Sequence, residues 1–265
     1  MPTIEENKKN WETYHWNTQG DKWSEAWGSV DLQWFGTLLP RFHKFVPTGT
    51  ILEIAPGYGR WTHYLKDQCQ QLIIVDLVEK CISSCKERFK DCPHITYHVN
   101  DGKSLAMISD NSIDFVFSFD SLVHVEEEVI REYLKQISLK LKKNGVGFIH
   151  HSNLGNYKDY LDRVKKLPMK KILNKLKLID TETNWRAVSM TAEKFNSFAK
   201  EYGLECISQE CIPWGKNLLS DCMSIFTKKD SIWVQERKQF NNPLFLKESN
   251  YLSRLAKIYD FKIKP

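Results

Sequence analysis

Short apolar runs alternate with segments of helical periodicity along most of the chain. The apolar runs predict seven strands, at residues 51–55, 72–75, 95–99, 113–119, 146–150, 204–212 and 221–227. The periodic segments predict helices at about 60–68, 78–90, 103–108, 126–142 and 191–202. Alternation of this kind builds a parallel sheet with helices on both faces. We therefore expect an α/β fold with a mostly parallel, doubly wound sheet of seven strands and an antiparallel edge strand formed by the last two runs.

The pattern divides the chain into three regions. Residues 41–227 form the sheet domain, with a helical insertion at 156–178 after the fifth strand. Residues 228–265 are charged and aromatic and predict a helical tail that packs back on the domain. Residues 1–40 contain five of the nine tryptophans: Trp11, Trp16, Trp23, Trp27 and Trp34. These rings are either simply core or a lid that folds over a ligand and excludes water, and the two roles are compatible.

The insertion is strongly basic. Residues 158–177 carry eight lysines and arginines against two aspartates, interleaved with apolar residues and broken at Pro168. Such a run is commonly a solvated helix face. Its position after the fifth strand also allows a basic wall beside an acceptor pocket, which would favour phosphorylated or nucleotide-linked acceptors. Because no nucleic-acid module accompanies the lysines, nucleic acid is not an expected partner.

A glycine turn after the first strand carries the strongest chemical signal. Residues 51–59 read Ile-Leu-Glu-Ile-Ala-Pro-Gly-Tyr-Gly. A dinucleotide-binding turn needs a third glycine at the position of Thr62, so that pattern fails, and a nicotinamide dehydrogenase is disfavoured. Glu53 lies four residues ahead of Gly57 and suits a cationic ligand. Asp76 closes the second strand at the spacing that places a carboxylate on ribose hydroxyls, so the two acids are expected to bracket a positively charged ribosyl ligand.

This order of residues resembles the class I S-adenosylmethionine-dependent methyltransferases, whose first motif is acid-x-x-x-Gly-x-Gly and whose second is an acid after strand two. The resemblance continues with Asp101-Gly102 after the third strand, with residues 113–118 as the fourth strand and with residues 145–150 as the fifth. It covers roughly residues 40–227. Pro56 departs from the pattern and removes a backbone donor before the turn. More closely, the motifs resemble a bacterial branch associated with surface-polysaccharide modification.

The resemblance implies S-adenosylmethionine as the cofactor and S-adenosylhomocysteine as the product. The implied cofactor-binding residues are Glu53, Ala55, Pro56, Gly57, Tyr58, Gly59, Asp76, Asp101, Gly102, Ser118 and Phe119. The expected reaction is methyl transfer to an oxygen of a small acceptor, such as a sugar, a nucleotide sugar or a phosphorylated capsule precursor. Methyl transfer to a nitrogen of a small molecule is an alternative. A non-catalytic partner or sensor that binds S-adenosylmethionine is another.

Acceptor-side groups are expected after the fourth and fifth strands, because open α/β sheets bind ligands at the carboxyl ends of their strands. A neutral hydroxyl acceptor must lose a proton, which an imidazole is suited to remove. The candidate catalytic residues are Asp120, His124, His150 and His151. His151 leads slightly as the base because it lies one residue past the apolar run, and a structural hydrogen bond is the alternative for each histidine. With one carboxylate in the cluster, no metal is expected.

Three further residues are expected to contact the acceptor. Tyr58 lies between the glycines, where its ring would face the pocket mouth. Trp185 and Arg186 precede the helix at 191 and would complete the acceptor wall, with Arg186 as an anion contact. A surface turn is the commoner explanation for such a segment.

The composition sets the remaining expectations. A chain of 265 residues with 42% hydrophobic content can bury one good core, and its net charge of +5 is modest but points to anionic substrates. No run approaches the roughly 18 apolar residues of a membrane span, and the polar N-terminus does not resemble a signal peptide. The seven cysteines include no Cys-x-x-Cys pair, so we expect reduced thiols in a cytoplasmic protein. The oligomeric state is not indicated.

Overall fold

A computed structural model describes residues 3–168, 172–173, 176, 179, 183, 185–215 and 217–259. The strands are β1 (Thr48–Ile54), β2 (Cys69–Asp76), β3 (Ile95–Val99), β4 (Ile113–Ser118), β5 (Leu141–Ser152), β6 (Leu204–Ile212), β7 (Asp221–Lys228) and β8 (Lys238–Asn241). They form one mixed sheet in the order β3-β2-β1-β4-β5-β7-β6-β8. The first five strands pair in parallel, as the alternation of apolar runs and helices predicts.

The sheet differs from the expected one at its far end. It has eight strands where seven were expected. The antiparallel strand β7 lies inside the sheet between β5 and β6, and the edge is β8, which pairs in parallel with β6. All four residues of β8 are exposed. Because an exposed edge strand has no buried face, it leaves no apolar alternation in the sequence.

The helices are α1 (Ile4–Thr13), α2 (Val30–Gln33), α3 (Leu39–Phe42), α4 (Thr62–Leu65), α5 (Glu79–Arg88), α6 (Glu127–Lys140), α7 (Lys158–Lys165), α8 (Ala192–Glu201) and α9 (Phe245–Ile258). Short 3₁₀ segments occur at Asn17–Trp27, His43–Phe45, Lys66–Gln68, Leu122–His124 and Leu154–Tyr157, and a π turn occurs at Trp34–Leu38. None of the helices in the described ranges has the length and apolar character needed to cross a membrane.

The prediction of a helix at residues 103–108 is wrong. Asp101 accepts hydrogen bonds through Oδ1 from the backbone amides of Lys103 and Ser104, at 3.1 and 2.7 Å. Gly102 has a φ of +89°, which a helix does not allow. An aspartate that binds the amides two and three residues ahead makes a turn.

Two predicted segments extend beyond the described residues. The basic insertion begins with α7, but many of the residues from 169 to 178 lie outside them. The C-terminal extension contains α9 as a helix, in addition to β8, and residues 260–265 lie outside the description.

The N-terminal region has two parts. Trp34, Leu38 and Phe42 are fully buried and pack with the aromatic residues of β4, so the segment after residue 29 belongs to the core. Residues 3–27, which we call the aromatic cover, lie over the carboxyl ends of the strands instead. The cover is held by a stack of Trp16 on Tyr58, with centroids 4.7 Å apart and planes at 9°. Within the predicted lid of residues 1–40, Trp34 and Leu38 thus belong to the core, and the role of a lid remains a prediction for the aromatic cover.

Candidate functional site

Two neighbouring cavities open at the carboxyl ends of the strands. The first lies between the turn after β1, the end of β2, the loop after β4 and the aromatic cover. Its lining residues are Asn7, Trp11, Trp16, Trp23, Ala55, Gly57, Val75, Asp76, Leu77, Cys81, Gly102, Asp120, Ser121, Leu122, His124, Val125 and Tyr133. The cavity combines apolar walls with a few polar groups, as expected for a small-molecule site.

Gly57 allows the cover to approach the turn closely. It has a φ of +57°, and a Cβ atom at this position would lie 2.8 Å from the ring of Trp16. Any side chain here would therefore push Trp16 away from the cavity wall. The second glycine of the motif has a different role, because a Cβ on Gly59 would lie 2.5 Å from the ring of Phe89. Gly59 thus permits packing against the end of α5.

The two acids of the motif occupy different environments. Asp76 lines the first cavity and accepts hydrogen bonds from the amides of Gly57 at 3.1 Å and Val78 at 2.9 Å. Burial raises the pKa of Asp76 to about 6. Glu53 lies below the turn, lines neither cavity and accepts a 2.5 Å hydrogen bond from the Thr62 hydroxyl. Burial raises the pKa of Glu53 to about 8, so the acid expected beside a cationic ligand is instead a buried group under the turn.

Of the other residues expected at the cofactor, Ala55 and Gly102 line the first cavity. The remaining six line neither of the two cavities: Pro56, Tyr58, Gly59, Asp101, Ser118 and Phe119. Ser118 donates from its hydroxyl to the carbonyl of Ile54 at 2.9 Å. Phe119 stacks on His150 at 4.5 Å. Ser118 and Phe119 thus lie behind the cavity wall, whereas Asp101 is exposed.

A second cavity of about 530 Å³ adjoins the first. The two share Trp11, Trp23, Asp120 and His124 in their walls. The other lining residues are Ala26, Trp27, Trp185, Arg186, Trp214, Gly215 and Leu246. Sequence reasoning identified Trp185 and Arg186 as wall residues but missed Trp214, because no local pattern indicates that β6 brings a tryptophan to this end of the sheet.

His124 lies at the junction of the two cavities. Its Nδ1 is 3.0 Å from the carbonyl oxygen of Trp185. Because a carbonyl only accepts, Nδ1 carries the proton and Nε2 is the basic nitrogen. Burial lowers the pKa of His124, and the nearby Arg186 lowers it further. His124 is therefore a neutral imidazole with one nitrogen able to accept a proton.

Asp120 is the centre of a buried ion-pair network. Its carboxylate lies 3.1 Å from the guanidinium of Arg60 and 3.4 Å from that of Arg186. Arg186 also binds Asp221 at 3.0 Å. Burial alone would raise the pKa of Asp221, but Arg186 and His150 hold it well below its usual range. Asp120 therefore positions two arginines, and Arg186 lines the second cavity while it is paired with two carboxylates.

The two adjacent histidines of β5 point to opposite faces of the sheet, as successive residues of a strand do. His150 accepts from the amide of Asp120 through Nδ1 at 3.2 Å and lies 3.1 Å from Asp221 through Nε2. His151 is 0% exposed, stacks on Phe195 at 4.3 Å and lies 2.8 Å from the hydroxyl of Ser224. Burial lowers the pKa of His151 to about 3.

The geometry therefore does not favour His151 as the base. The strand continues to Ser152 instead of ending at residue 150, so His151 remains inside the sheet on the face that packs against α8. Of the four catalytic candidates, Asp120 and His124 line the cavities, His150 lies behind Asp120, and His151 lines neither cavity.

Comparison with known proteins identifies the central segment. Residues 51–145 match the family described as a methyltransferase domain. Phosphoethanolamine N-methyltransferase 1 of Triticum aestivum is 32% identical over 105 residues, which cover 39% of this chain and 21% of that protein. The match thus spans about a fifth of the curated relative's length.

Two solved structures share the fold. The PH0226 protein from Pyrococcus horikoshii OT3 is 20% identical with a TM-score of 0.53, covering 74% of this chain and 90% of that one. A S-adenosylmethionine-dependent methyltransferase from Clostridium acetobutylicum ATCC 824 is 14% identical with a TM-score of 0.54, covering 78% and 91%. At these identities the similarity shows only that this chain and the two proteins share a fold.

The match to a methyltransferase domain, together with the shared fold, implies S-adenosylmethionine as the cofactor. The first cavity fits it chemically. Asp76 offers a carboxylate to ribose hydroxyls at the end of β2, and Gly57 leaves bare backbone beside it. Asn7 is 4% exposed, and its Oδ1 has no hydrogen-bond partner among the described residues. A buried acceptor without a partner is costly, so a donor on the cofactor would complete it.

Proposed function

We propose that the chain transfers a methyl group from S-adenosylmethionine to a nitrogen of a small molecule bound in the second cavity. The observation that carries the proposal is the position of His124 in the wall shared by both cavities. An acceptor in the second cavity lies on the other side of this shared wall from a cofactor in the first cavity. A proton acceptor is therefore available where the methyl group is transferred.

The bound cofactor supplies an electrophilic methyl group on a sulfonium. The residues of the chain prepare the acceptor. A protonated amine has no lone pair with which to attack, so it must first lose a proton. The Nε2 atom of His124 accepts that proton, since the carbonyl of Trp185 fixes the other nitrogen as the donor. Asp120 holds Arg60 and Arg186 in place, and the aromatic cover excludes water from the reacting groups.

Two observations favour nitrogen over oxygen. The curated relative from Triticum aestivum is named for methylation of a nitrogen. Its name mentions neither a sugar nor a capsule precursor, the acceptors suggested by the resemblance to the polysaccharide-modifying branch. In addition, Arg186 is bound to Asp221 and Asp120, which does not support the expected contact with an anionic, sugar-linked acceptor. The acceptor atom is proposed to be nitrogen on these grounds.

Turnover with labelled cofactor tests the proposal. The purified chain is incubated with methyl-labelled S-adenosylmethionine and a panel of small amines, including ethanolamine and phosphoethanolamine, together with sugar phosphates and nucleotide sugars. Mass spectrometry should locate the label on an amine nitrogen. A label only on sugar hydroxyls would contradict the assignment of nitrogen. Binding of the cofactor without transfer to any member of the panel would instead favour a non-catalytic binding protein.

A further inference from the structure

We propose that the second cavity recognises its acceptor as a small cation, a methylated ammonium ion held against the faces of tryptophan rings. This inference rests on the proposed function, because it concerns the substrate class of the same site. It restricts the acceptor to amines that bind in their protonated, positively charged form, before the proton is lost.

Tryptophan dominates the wall of the second cavity. Five of its eleven lining residues are tryptophans: Trp11, Trp23, Trp27, Trp185 and Trp214. They come from the aromatic cover, the loop before α8 and the loop after β6. The ring centroids of Trp11 lie 5.7 Å from those of Trp23 and 6.2 Å from those of Trp185, and Trp27 lies 5.7 Å from Trp214. Rings in contact in this way form a continuous aromatic wall, and Trp offers the best π face for a cation.

The position of Trp185 in this wall is energetically unfavourable. It is 41% exposed, although a large aromatic side chain is normally buried. Its φ is +60°, a conformation that non-glycine residues rarely adopt. Two other non-glycine residues in the walls of the two cavities share this strain, Ala55 with φ +58° and Asp120 with φ +62°. Such strain is typical of functional sites, and a simple packing role does not account for an exposed, strained ring.

The charges around the cavity do not favour an anion. Asp120 and Arg186 are the only members of the described lining that carry a full charge, since His124 is neutral. Arg60 and Asp221 stand directly behind them, so the network holds two arginines and two aspartates and its formal charge is zero. Arg60 and Arg186 already lie over the rings of Trp23 and Trp214, at 5.5 and 5.2 Å. Attraction for a ligand therefore comes from the remaining ring faces of the wall, which attract cations and not phosphates.

Two probes of the same shape and different charge test the inference. Choline carries a quaternary ammonium, and 3,3-dimethyl-1-butanol replaces its nitrogen by carbon. Their affinities are measured by calorimetry, both with and without S-adenosylhomocysteine. We expect choline to bind roughly tenfold more tightly than the neutral analogue, the size of a cation–π contribution at a partly desolvated site.

Variants of two exposed tryptophans provide the control. Trp185→Leu should remove most of the preference for choline, whereas Trp233→Leu should keep it, because Trp233 is 37% exposed and lines neither cavity. Trp185→Phe should retain part of the preference. Equal affinities for the two probes in the wild type, or no measurable binding of either, would overturn the inference. If S-adenosylhomocysteine still bound and an amine were still methylated in that case, the proposed function would stand and only the recognition of a cation by the tryptophan wall would be wrong.

Discussion

The Nδ1 atom of His124 lies 3.0 Å from the carbonyl oxygen of Trp185. This contact joins the 3₁₀ segment after β4 to the loop that precedes α8. The residue that fixes the tautomer of the proposed base through its backbone also lines the second cavity with its ring. A neutral imidazole whose Nδ1–H is fixed in this way has only Nε2 left to take a proton. The contact therefore links proton removal to acceptor binding in one site.

Replacement of His124 is expected to reduce turnover more than cofactor binding. For His124→Gln we expect kcat to fall by roughly 10²–10⁴-fold, the usual contribution of a general base, with little change in the affinity for S-adenosylhomocysteine. Steady-state kinetics and calorimetry on the same preparation separate the two effects. His151→Gln serves as the contrast, since His151 lines neither cavity. If its turnover per folded molecule fell while that of His124→Gln did not, the base would be misassigned.

The pH dependence of kcat should reflect the lowered pKa of His124. Burial and Arg186 lower that pKa from its ordinary value of 6.5, so the neutral form predominates at pH 6.5 and above. We expect kcat at saturating substrate to hold as pH falls to 6.5 and to decline only at lower pH. Rate measurements between pH 5 and 8 check this, with folding monitored in parallel. An acid limb centred above 6.5 would be inconsistent with His124 as the base in this environment.

Asn7 should contribute to cofactor affinity. Its Nδ2 donates to the carbonyl of His124 at 3.0 Å, and its Oδ1 lacks a partner among the described residues. If the cofactor supplies the missing donor, Asn7→Ala should weaken binding of S-adenosylhomocysteine by roughly 5- to 10-fold, equivalent to about one hydrogen bond. Asn10→Ala, on the same helix and outside both cavity walls, is the matched control. Equal affinities for the two variants would remove Asn7 from the cofactor site.

Glu53 should make the free energy of unfolding depend on pH. Burial raises its pKa to about 8 from 4.5, so the folded state binds this proton more tightly than the unfolded state. Its stabilising effect is fully present below pH 4.5 and is lost as pH rises through 8. Glu53→Gln, which stays neutral, should therefore gain stability over the wild type between pH 5 and 8, by up to about 3 kcal/mol.

Chemical unfolding of both proteins at several pH values measures this difference. Glu87→Gln, a change at a largely exposed side chain, is the control and should show no comparable trend. A constant difference between wild type and Glu53→Gln across this range would mean that Glu53 is ionised in the folded state.

Most of the parallel half of the sheet could be read from the sequence, because β1, β4 and β5 are largely buried on both faces and appear as continuous apolar runs. Phe115 and Phe117 of β4 pack on one face while Val116 packs on the other. The exposed strand β8 leaves no such run. The turn at Asp101 was predicted as a helix because residues 103–108 show helical periodicity over a short stretch. In the structure, the backbone amides bind the Asp101 side chain instead of forming helical hydrogen bonds.

The site could be predicted only in part, because some of its residues are brought together only by the tertiary structure. Asp76 ends β2, Gly57 lies in the turn after β1, and His124 lies in the segment after β4, so their positions at the carboxyl edge follow from the fold. The choice between His150 and His151 depends on where β5 ends and which face packs against α8, and neither is encoded locally. The tryptophan wall combines residues as distant as Trp11 and Trp214, which only the tertiary structure brings together.

Calorimetric titration with S-adenosylhomocysteine tests the central claim most directly, because every proposed step requires the cofactor in the first cavity. We expect the wild-type chain to bind one equivalent, and Asp76→Ala to bind clearly more weakly through loss of the carboxylate at the end of β2. Absence of binding to folded wild-type protein, with either S-adenosylhomocysteine or S-adenosylmethionine, would contradict the account.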